Sequence, residues 1–144
     1  MNNNIDPNIG FKITTANGLI IRFRYDEDAP MTAKAFKALL PFTRSLLHAR
    51  TSGEEIWTGD APPLDVIQEN ASVFTHPGEV VYGPSGAKRA RTCNCMGIYY
   101  GEGRGLDSCN IFARVYEEDR ALLASLGEAI WRRGEQPITF SSLT

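Results

Sequence analysis

Cysteines are the residues of this sequence whose type most directly suggests chemistry. Cys93 and Cys95 lie two apart in residues 92–100, whose alternation predicts a strand, so both face one way at roughly 6.5 to 7 Å. That spacing is long for a disulfide. A zinc ion would need further ligands, and none has a familiar spacing. The remaining candidate ligands are Cys109, His48 and His76. We therefore expect packed small residues and no metal site.

Two adjacent carboxylates, Glu54 and Glu55, are the clearest acid–base candidates. On a strand they point to opposite faces, so they cannot act as a pair. If Ile56 points into the core, Glu54 shares its side and is expected to be partly buried, beside Arg50 or Arg114. A buried carboxylate with an arginine partner is either a structural ion pair or a ligand-orienting site, and we favour the structural pair.

Two histidines complete the titratable set. His76 precedes Pro77-Gly78, which predicts a surface turn, whereas His48 lies in a predicted strand near Arg50 and is the better candidate for a groove. No nucleophile-elbow motif is present. The glycine-rich residues 101–105 are not followed by a helix, so they predict a flexible hairpin loop and not a phosphate site.

Composition bounds the class of protein that carries these residues. The chain has 144 residues, 42% of them hydrophobic and 22% charged, which is typical of one globular domain. Its formal charge of −2 disfavours a nucleic-acid partner, and the basic group Lys88, Arg89 and Arg91 is interpreted as a solvated loop. We expect no membrane span and no export signal. The three cysteines are an odd number with no repeated spacing, which disfavours a disulfide framework and favours a cytoplasmic location.

Local patterns predict a mainly β domain over residues 11–144, after a disordered tail at 1–10. Asn17-Gly18 predicts a hairpin turn, followed by a strand that alternates apolar and charged residues up to Tyr25. A helix should begin at Pro30, with Asp28 as its cap and an apolar side that includes Ala38 and Leu39. It should end before Pro41.

The rest of the chain predicts further short strands and one more helix. Two strands are hinged at residues 51–53, and others are expected at 79–82, 92–100, 110–116 and 137–142. The second helix carries a stripe of Leu122, Leu126 and Ile130 and ends at Gly134. About eight strands with two helices indicate an antiparallel barrel or sandwich.

Several segments resemble cyclophilins. These are the helix APMTAKAFKALLP at residues 29–41 and the closing strand in GEQPITFSS. The words SGEEIW at 52–57 and PGEV at 77–80 resemble bacterial cyclophilin-like proteins of unknown function, and the match covers about residues 11–141. The resemblance implies a closed eight-stranded antiparallel barrel with two capping helices, a lumen filled by side chains, and any groove on the outer wall.

The isomerase signature of cyclophilins is only partly present. By resemblance, Arg50 stands where the isomerase arginine does, in Leu47-His48-Ala49-Arg50. Glu54-Glu55 replaces the amide-bearing strand, and no histidine follows His76. Peptidyl-prolyl isomerisation is therefore the alternative and not the leading hypothesis.

The leading hypothesis is a barrel that binds a small polar or amide-containing molecule in a side groove, without a cofactor. Similar modules accompany amide ring-opening enzymes such as oxoprolinase subunits, so the resemblance implies a role in nitrogen-compound breakdown. A third alternative is a non-catalytic subunit that forms a homo-oligomer through exposed strands and aromatic residues. The predicted ligand contacts are Arg50, Ser52, Glu54, Tyr99 and Arg114.

Overall fold

The computed structural model describes residues 9–84 and 92–143. Among these residues the chain forms eight strands and two α-helices, with one 3₁₀ turn at Glu117–Asp119 before the second helix. The elements are β1 (Gly10–Thr15), β2 (Ile20–Tyr25), α1 (Pro30–Leu39), β3 (Phe42–His48), β4 (Gly53–Thr58), β5 (Ala71–Phe74), β6 (Glu79–Tyr82), β7 (Met96–Val115), α2 (Arg120–Arg133) and β8 (Gln136–Ser142). The predicted mainly β class with two helices is confirmed.

The strands form one antiparallel sheet in the order β2-β1-β8-β3-β4-β7-β5. β6 lies between the two ends of β7, since Val80 is opposite both Ile98 and Ala113. β2, at one end of the order, also pairs with β7 through Phe23 and Val115. The long strand β7 therefore contacts β2, β4, β5 and β6, and it positions most of the site described below.

The first hairpin forms as the sequence predicts. Gly18 adopts a φ of 89°, which glycine tolerates and the turn requires. The inward side of the hairpin joins an aromatic core in which Phe11 stacks on Phe23 at 5.0 Å between ring centroids. The other fully or almost fully buried phenylalanines are Phe36, Phe112 and Phe140.

Both helices have the predicted extent, but their buried faces differ from the prediction. Asp28 does not cap α1, because Ala29 occupies the N-cap position and no side chain caps the helix. The Asp28 backbone N–H donates to Asp26 Oδ1 at 2.9 Å. The buried residues of α1 are Thr32 and Phe36, while Ala38 and Leu39 are exposed. Thr32 is buried because its hydroxyl donates to the Glu69 carboxylate at 2.7 Å.

In α2 the buried stripe is shifted by one residue at its start. Leu123 is buried and Leu122 is 38% exposed. The inward face also includes Gly127, where a Cβ atom would lie 2.1 Å from the Tyr100 ring, so this glycine lets the helix approach β7 closely. α2 ends at Gly134 as predicted, with a φ of 98°. No helix of the described residues is both long and apolar enough to span a bilayer.

The structure of β7 and of the turn before it differs most from the prediction. Cys93 and Cys95 are not in a strand: they flank Asn94 in a turn that is tied to Gly83 by two backbone hydrogen bonds of 2.8 and 2.9 Å. Residues 101–105 are continuous strand and not a loop. Their glycines permit close contact with β4, since a Cβ atom on Gly103 would lie 2.4 Å from the Ser52 carbonyl oxygen. The short strand β5 was not predicted.

Candidate functional site

A cavity of about 550 Å³ opens between the β3–β4 connection, β5 and β7. One wall comes from residues 47–52 with Glu55 and Trp57, and the opposite wall from β7 and the turn before it. The apolar lining residues are Leu47, Ala49, Trp57, Val81, Met96 and Leu106. The ionisable or hydroxyl-bearing lining residues are His48, Arg50, Thr51, Ser52, Glu55, Ser72, Thr75, Thr92, Cys95, Tyr99, Asp107 and Cys109.

The alternation of β4 decides which glutamate faces this cavity, because Glu55 and Trp57 share the cavity face while Glu54 lies on the other face, beside α2. The register between β4 and β7 shifts between Gly53 and Glu55, and the strand then continues with Glu55 opposite Tyr99. Glu55 is only 9% exposed and Ile56 is fully buried on the opposite face. Glu54 is exposed, so its expected burial is wrong. It accepts a hydrogen bond from the backbone N–H of Glu102 at 3.2 Å instead.

The Glu55 carboxyl is held in place by two hydroxyl groups. Ser52 Oγ donates to Glu55 Oε1 at 2.5 Å, and Tyr99 is also hydrogen-bonded to the carboxyl. Gly97 makes room for the other oxygen, because a Cβ atom there would lie 1.9 Å from Glu55 Oε2. The carboxyl is therefore fixed at the cavity wall by its partners and by the shape of β7.

Burial shifts the protonation of this group. Desolvation raises the pKa of Glu55 above its ordinary value, against hydrogen bonds from Ser52 and Tyr99 that favour the charged form. No cation of the described residues forms an ion pair with it. Burial also raises the pKa of the Tyr99 phenol, and the neighbouring Glu55 adds to the shift. The environment therefore favours the protonated forms, which both donate and accept hydrogen bonds.

His48 connects the cavity wall to α2. Its Nδ1 lies 2.8 Å from the Ala49 carbonyl oxygen, which can only accept, so Nδ1 carries the proton. Nε2 then accepts the Tyr100 hydroxyl at 2.7 Å. The ring also packs against Trp131, at 4.6 Å between centroids. Both ring nitrogens are thus used within the protein, and the ring packs toward Tyr100 and Trp131 on the α2 side.

The remaining polar groups of the cavity include two thiols and a second carboxyl. Burial raises the pKa of Cys95, and it raises the pKa of Cys109 to about 11, so both thiols stay neutral near pH 7. Asp107 accepts a hydrogen bond from Thr92 Oγ1 at 3.3 Å. Within residues 9–84 and 92–143, no three histidine, cysteine or carboxylate side chains are placed to hold a metal ion.

A family model described as "Protein of unknown function (DUF3830)" matches residues 16–142. The chain belongs to the DUF3830 family. Curated proteins give no match to the sequence.

Solved structures place this DUF3830 chain among proteins with a cyclophilin-like fold. McbB in complex with tryptophan has a TM-score of 0.72 at 16% identity over 91% of this chain, which spans only 44% of McbB. A hypothetical protein from Archaeoglobus fulgidus has a TM-score of 0.62 at 14% identity, covering 97% of this chain and 98% of its own. A cyclophilin-type peptidyl-prolyl isomerase from Cryptosporidium parvum has a TM-score of 0.59 at 16% identity, covering 94% and 99%. At these identities the likeness is one of fold.

Three of the five predicted contacts of the DUF3830 chain line one cavity: Arg50, Ser52 and Tyr99. Glu54 lies on a separate groove beside α2. Arg114 is elsewhere on β7, 3.9 Å from Asp26. His76 is on a surface turn as predicted, with an 85% exposed side chain. The basic group of residues 88, 89 and 91 lies outside the described residues.

Sequence reasoning missed Glu55, Asp107 and the two cavity cysteines as a group. Gly53, which adopts a φ of 105°, is the one local signal of the irregular pairing between β4 and β7, since an isolated glycine in a strand indicates a bulge. Nothing local to residues 107 and 109 indicates which wall they line. Their position depends on the path of β7.

Proposed function

We propose that the cavity binds a small organic molecule through a neutral polar group such as an amide. The observation that carries this proposal is the buried Glu55 carboxyl, fixed by Ser52 and Tyr99 at the wall of a cavity of about 550 Å³. A buried, convergent polar group inside a largely apolar concavity is the usual form of a small-molecule site.

The chemistry of the three residues matches an amide. An amide presents one acceptor oxygen and N–H donors, so it needs partners of both kinds. The hydroxyls of Ser52 and Tyr99 each donate and accept, and the Glu55 carboxyl accepts and, in the protonated form that burial favours, also donates. An ionised ligand group at the same place would have to remain desolvated, which costs far more than burying a paired neutral group.

The apolar walls supply the other part of the proposed interaction. Trp57 and Met96 offer aromatic and thioether surface beside the polar cluster. They suit a hydrocarbon or aromatic body of the ligand. That McbB is a fold relative solved in complex with tryptophan supports a ligand of amino-acid size.

We also propose a closed barrel, a role in nitrogen-compound breakdown and a cytoplasmic location. The pairing of β2 with β7 supports closure of the sheet into a barrel with its site on the outer wall. The resemblance to modules of amide ring-opening enzymes supports a role in nitrogen-compound breakdown. That the three cysteines form no disulfide among the described residues supports a reducing, cytoplasmic location.

The test measures binding of N-acetyl-L-tryptophanamide, a neutral amide with an aromatic body, by calorimetry. Glu55→Met removes the donor and acceptor at similar volume, and we expect it to weaken binding by about five- to thirtyfold, since one or two hydrogen bonds of about 1 kcal/mol each are lost. Glu54→Met changes the adjacent, exposed carboxylate and serves as the matched control. Equal affinity of wild type and Glu55→Met, or no binding to the wild type at high concentration, would contradict the proposal.

Self-association is the second candidate, favoured by exposed apolar side chains near the edge strand. Phe74 on β5 is 66% exposed and Leu106 on β7 is 60% exposed. Light scattering at increasing concentration separates the cases, because a strict monomer removes this candidate. Arg50-dependent turnover of a proline peptide would instead favour the isomerase alternative.

A further inference from the structure

We infer that the ligand of this cavity carries a carboxylate and that Arg50 at the rim receives it. The inference rests on the proposed function, because it adds a second recognition group to the site that Glu55 defines. It specifies the ligand class as amide-bearing carboxylic acids, such as N-acyl amino acids.

Arg50 is held at the rim by the connection in which it lies. The Ala49 N–H donates to the Glu55 carbonyl oxygen at 2.9 Å, and the Arg104 N–H donates to the Ser52 carbonyl oxygen at 2.8 Å. These two bonds attach the β3–β4 connection to β4 before Arg50 and to β7 after Arg50. The Arg50 side chain is exposed and also lines the cavity. Its backbone position is therefore fixed, while its guanidinium is reachable from solvent.

Arg50 is the free cation of the cavity among residues 9–84 and 92–143. The arginines that form ion pairs within that part of the chain are Arg22, Arg44, Arg114, Arg120 and Arg132. His48, which also lines the cavity, uses both ring nitrogens within the protein. The Arg50 guanidinium therefore places a positive charge at one point of the cavity rim, where a ligand can reach it.

A guanidinium beside a neutral polar cluster selects one kind of ligand. Its planar fork matches a carboxylate through two parallel hydrogen bonds. A phosphate dianion would need more donors than this single arginine. The raised pKa of Glu55 lessens the repulsion that an acidic ligand would meet beside it. The cavity therefore offers a guanidinium at its rim, apolar walls and the hydrogen-bonding cluster of Glu55, Ser52 and Tyr99, with the Asp107 carboxyl elsewhere in the lining.

Two probes that differ at one group test the inference. N-acetyl-L-tryptophan carries the carboxylate, and N-acetyl-L-tryptophanamide replaces it with a neutral amide. We expect the wild type to bind the acid about tenfold more tightly, the gain expected from a hydrogen bond to a charged group. Arg50→Gln should abolish that difference and Arg50→Lys should keep part of it. Arg133→Gln, an exposed arginine on α2, changes the net charge equally and should leave the difference intact.

The outcomes separate this inference from the proposed function. Equal affinity of the two probes for the wild type, with binding still lost in Glu55→Met, would contradict recognition of a carboxylate by Arg50. The proposed amide site at Glu55 would remain supported. Loss of the acid preference in Arg133→Gln as well as in Arg50→Gln would overturn it too, since the effect would then be one of net charge. Failure of both probes to bind would end the proposed function itself. Circular dichroism of each variant verifies folding.

Discussion

Replacing Glu55 with glutamine should change how the stability of the protein depends on pH. Glutamine keeps an oxygen that can accept the Ser52 hydroxyl and removes the possibility of a buried negative charge. In the wild type, burial raises the folded-state pKa of Glu55 above its ordinary value of 4.5. The folded protein therefore retains a proton that the unfolded chain releases.

The sign and slope follow from proton linkage. Above pH 4.5 the unfolded state binds fewer protons at this site, so the free energy of unfolding of the wild type falls as pH rises. The loss approaches about 1.4 kcal/mol per pH unit and stops once the pH exceeds the folded-state pKa. Glu55→Gln lacks this loss. The difference in free energy of unfolding between Glu55→Gln and the wild type should therefore be close to zero near pH 4. It should increase in favour of the variant toward neutral pH.

Urea unfolding followed by tryptophan fluorescence gives this difference between pH 4 and pH 8. Glu54→Gln is the matched control, because it changes the net charge equally at an exposed neighbouring position. We expect the Glu55→Gln curve to separate upward from the Glu54→Gln curve as pH rises. Parallel curves for the two variants would show that Glu55 is ionised without penalty in the folded state, which would refute the argument.

Two further variants test how the carboxylates are positioned. Gly97→Ala places a Cβ atom 1.9 Å from Glu55 Oε2, so the carboxyl must move away from Ser52, at a cost of about 1 to 2 kcal/mol in urea unfolding. The same substitution in a Glu55→Ala background should cost much less, and an equal cost there would point to backbone strain. Asp119→Asn should lower the free energy of unfolding by about 1 to 3 kcal/mol at pH 7, because Asp119 accepts three hydrogen bonds from Arg22 at 2.8 to 3.0 Å. Those bonds lower the pKa of Asp119 below 3.8, so its contribution is lost as pH falls through the folded-state pKa; a deficit that stays constant down to pH 2 would contradict this role.

Elements whose signals lie within a few residues could be predicted from the sequence. The hairpin at Asn17-Gly18, the bounds of α1 between Pro30 and Pro41, and the end of α2 at Gly134 each follow from local backbone preferences. Predictions that needed a side-chain partner were less accurate. Asp28 has the right type for a cap, yet the chain turns before the helix so that Ala29 occupies that position.

The site was only partly predictable for the same reason. Arg50 and Ser52 belong to one connection, so their joint position is local, whereas Tyr99 joins them through the pairing of β4 with β7. Glu54 and Glu55 lie on opposite faces of β4, as alternation predicts, but the groove beside α2 leaves Glu54 exposed while the opposite face buries Glu55, and no local pattern shows which face is covered there. Arg114 lies on the same strand as Tyr99 but near the opposite end, beside β2.

A mainly β domain with two helices could be predicted from local patterns, because hydrophobic alternation, turn residues and helix ends act over short distances. Tertiary contacts were needed to show that residues 101–105 are strand, that Glu55 and not Glu54 is buried, and that Arg50 shares a cavity with Glu55. Those outcomes depend on which strands become neighbours and in what register, and pairing between residues 30 to 50 positions apart leaves no local pattern.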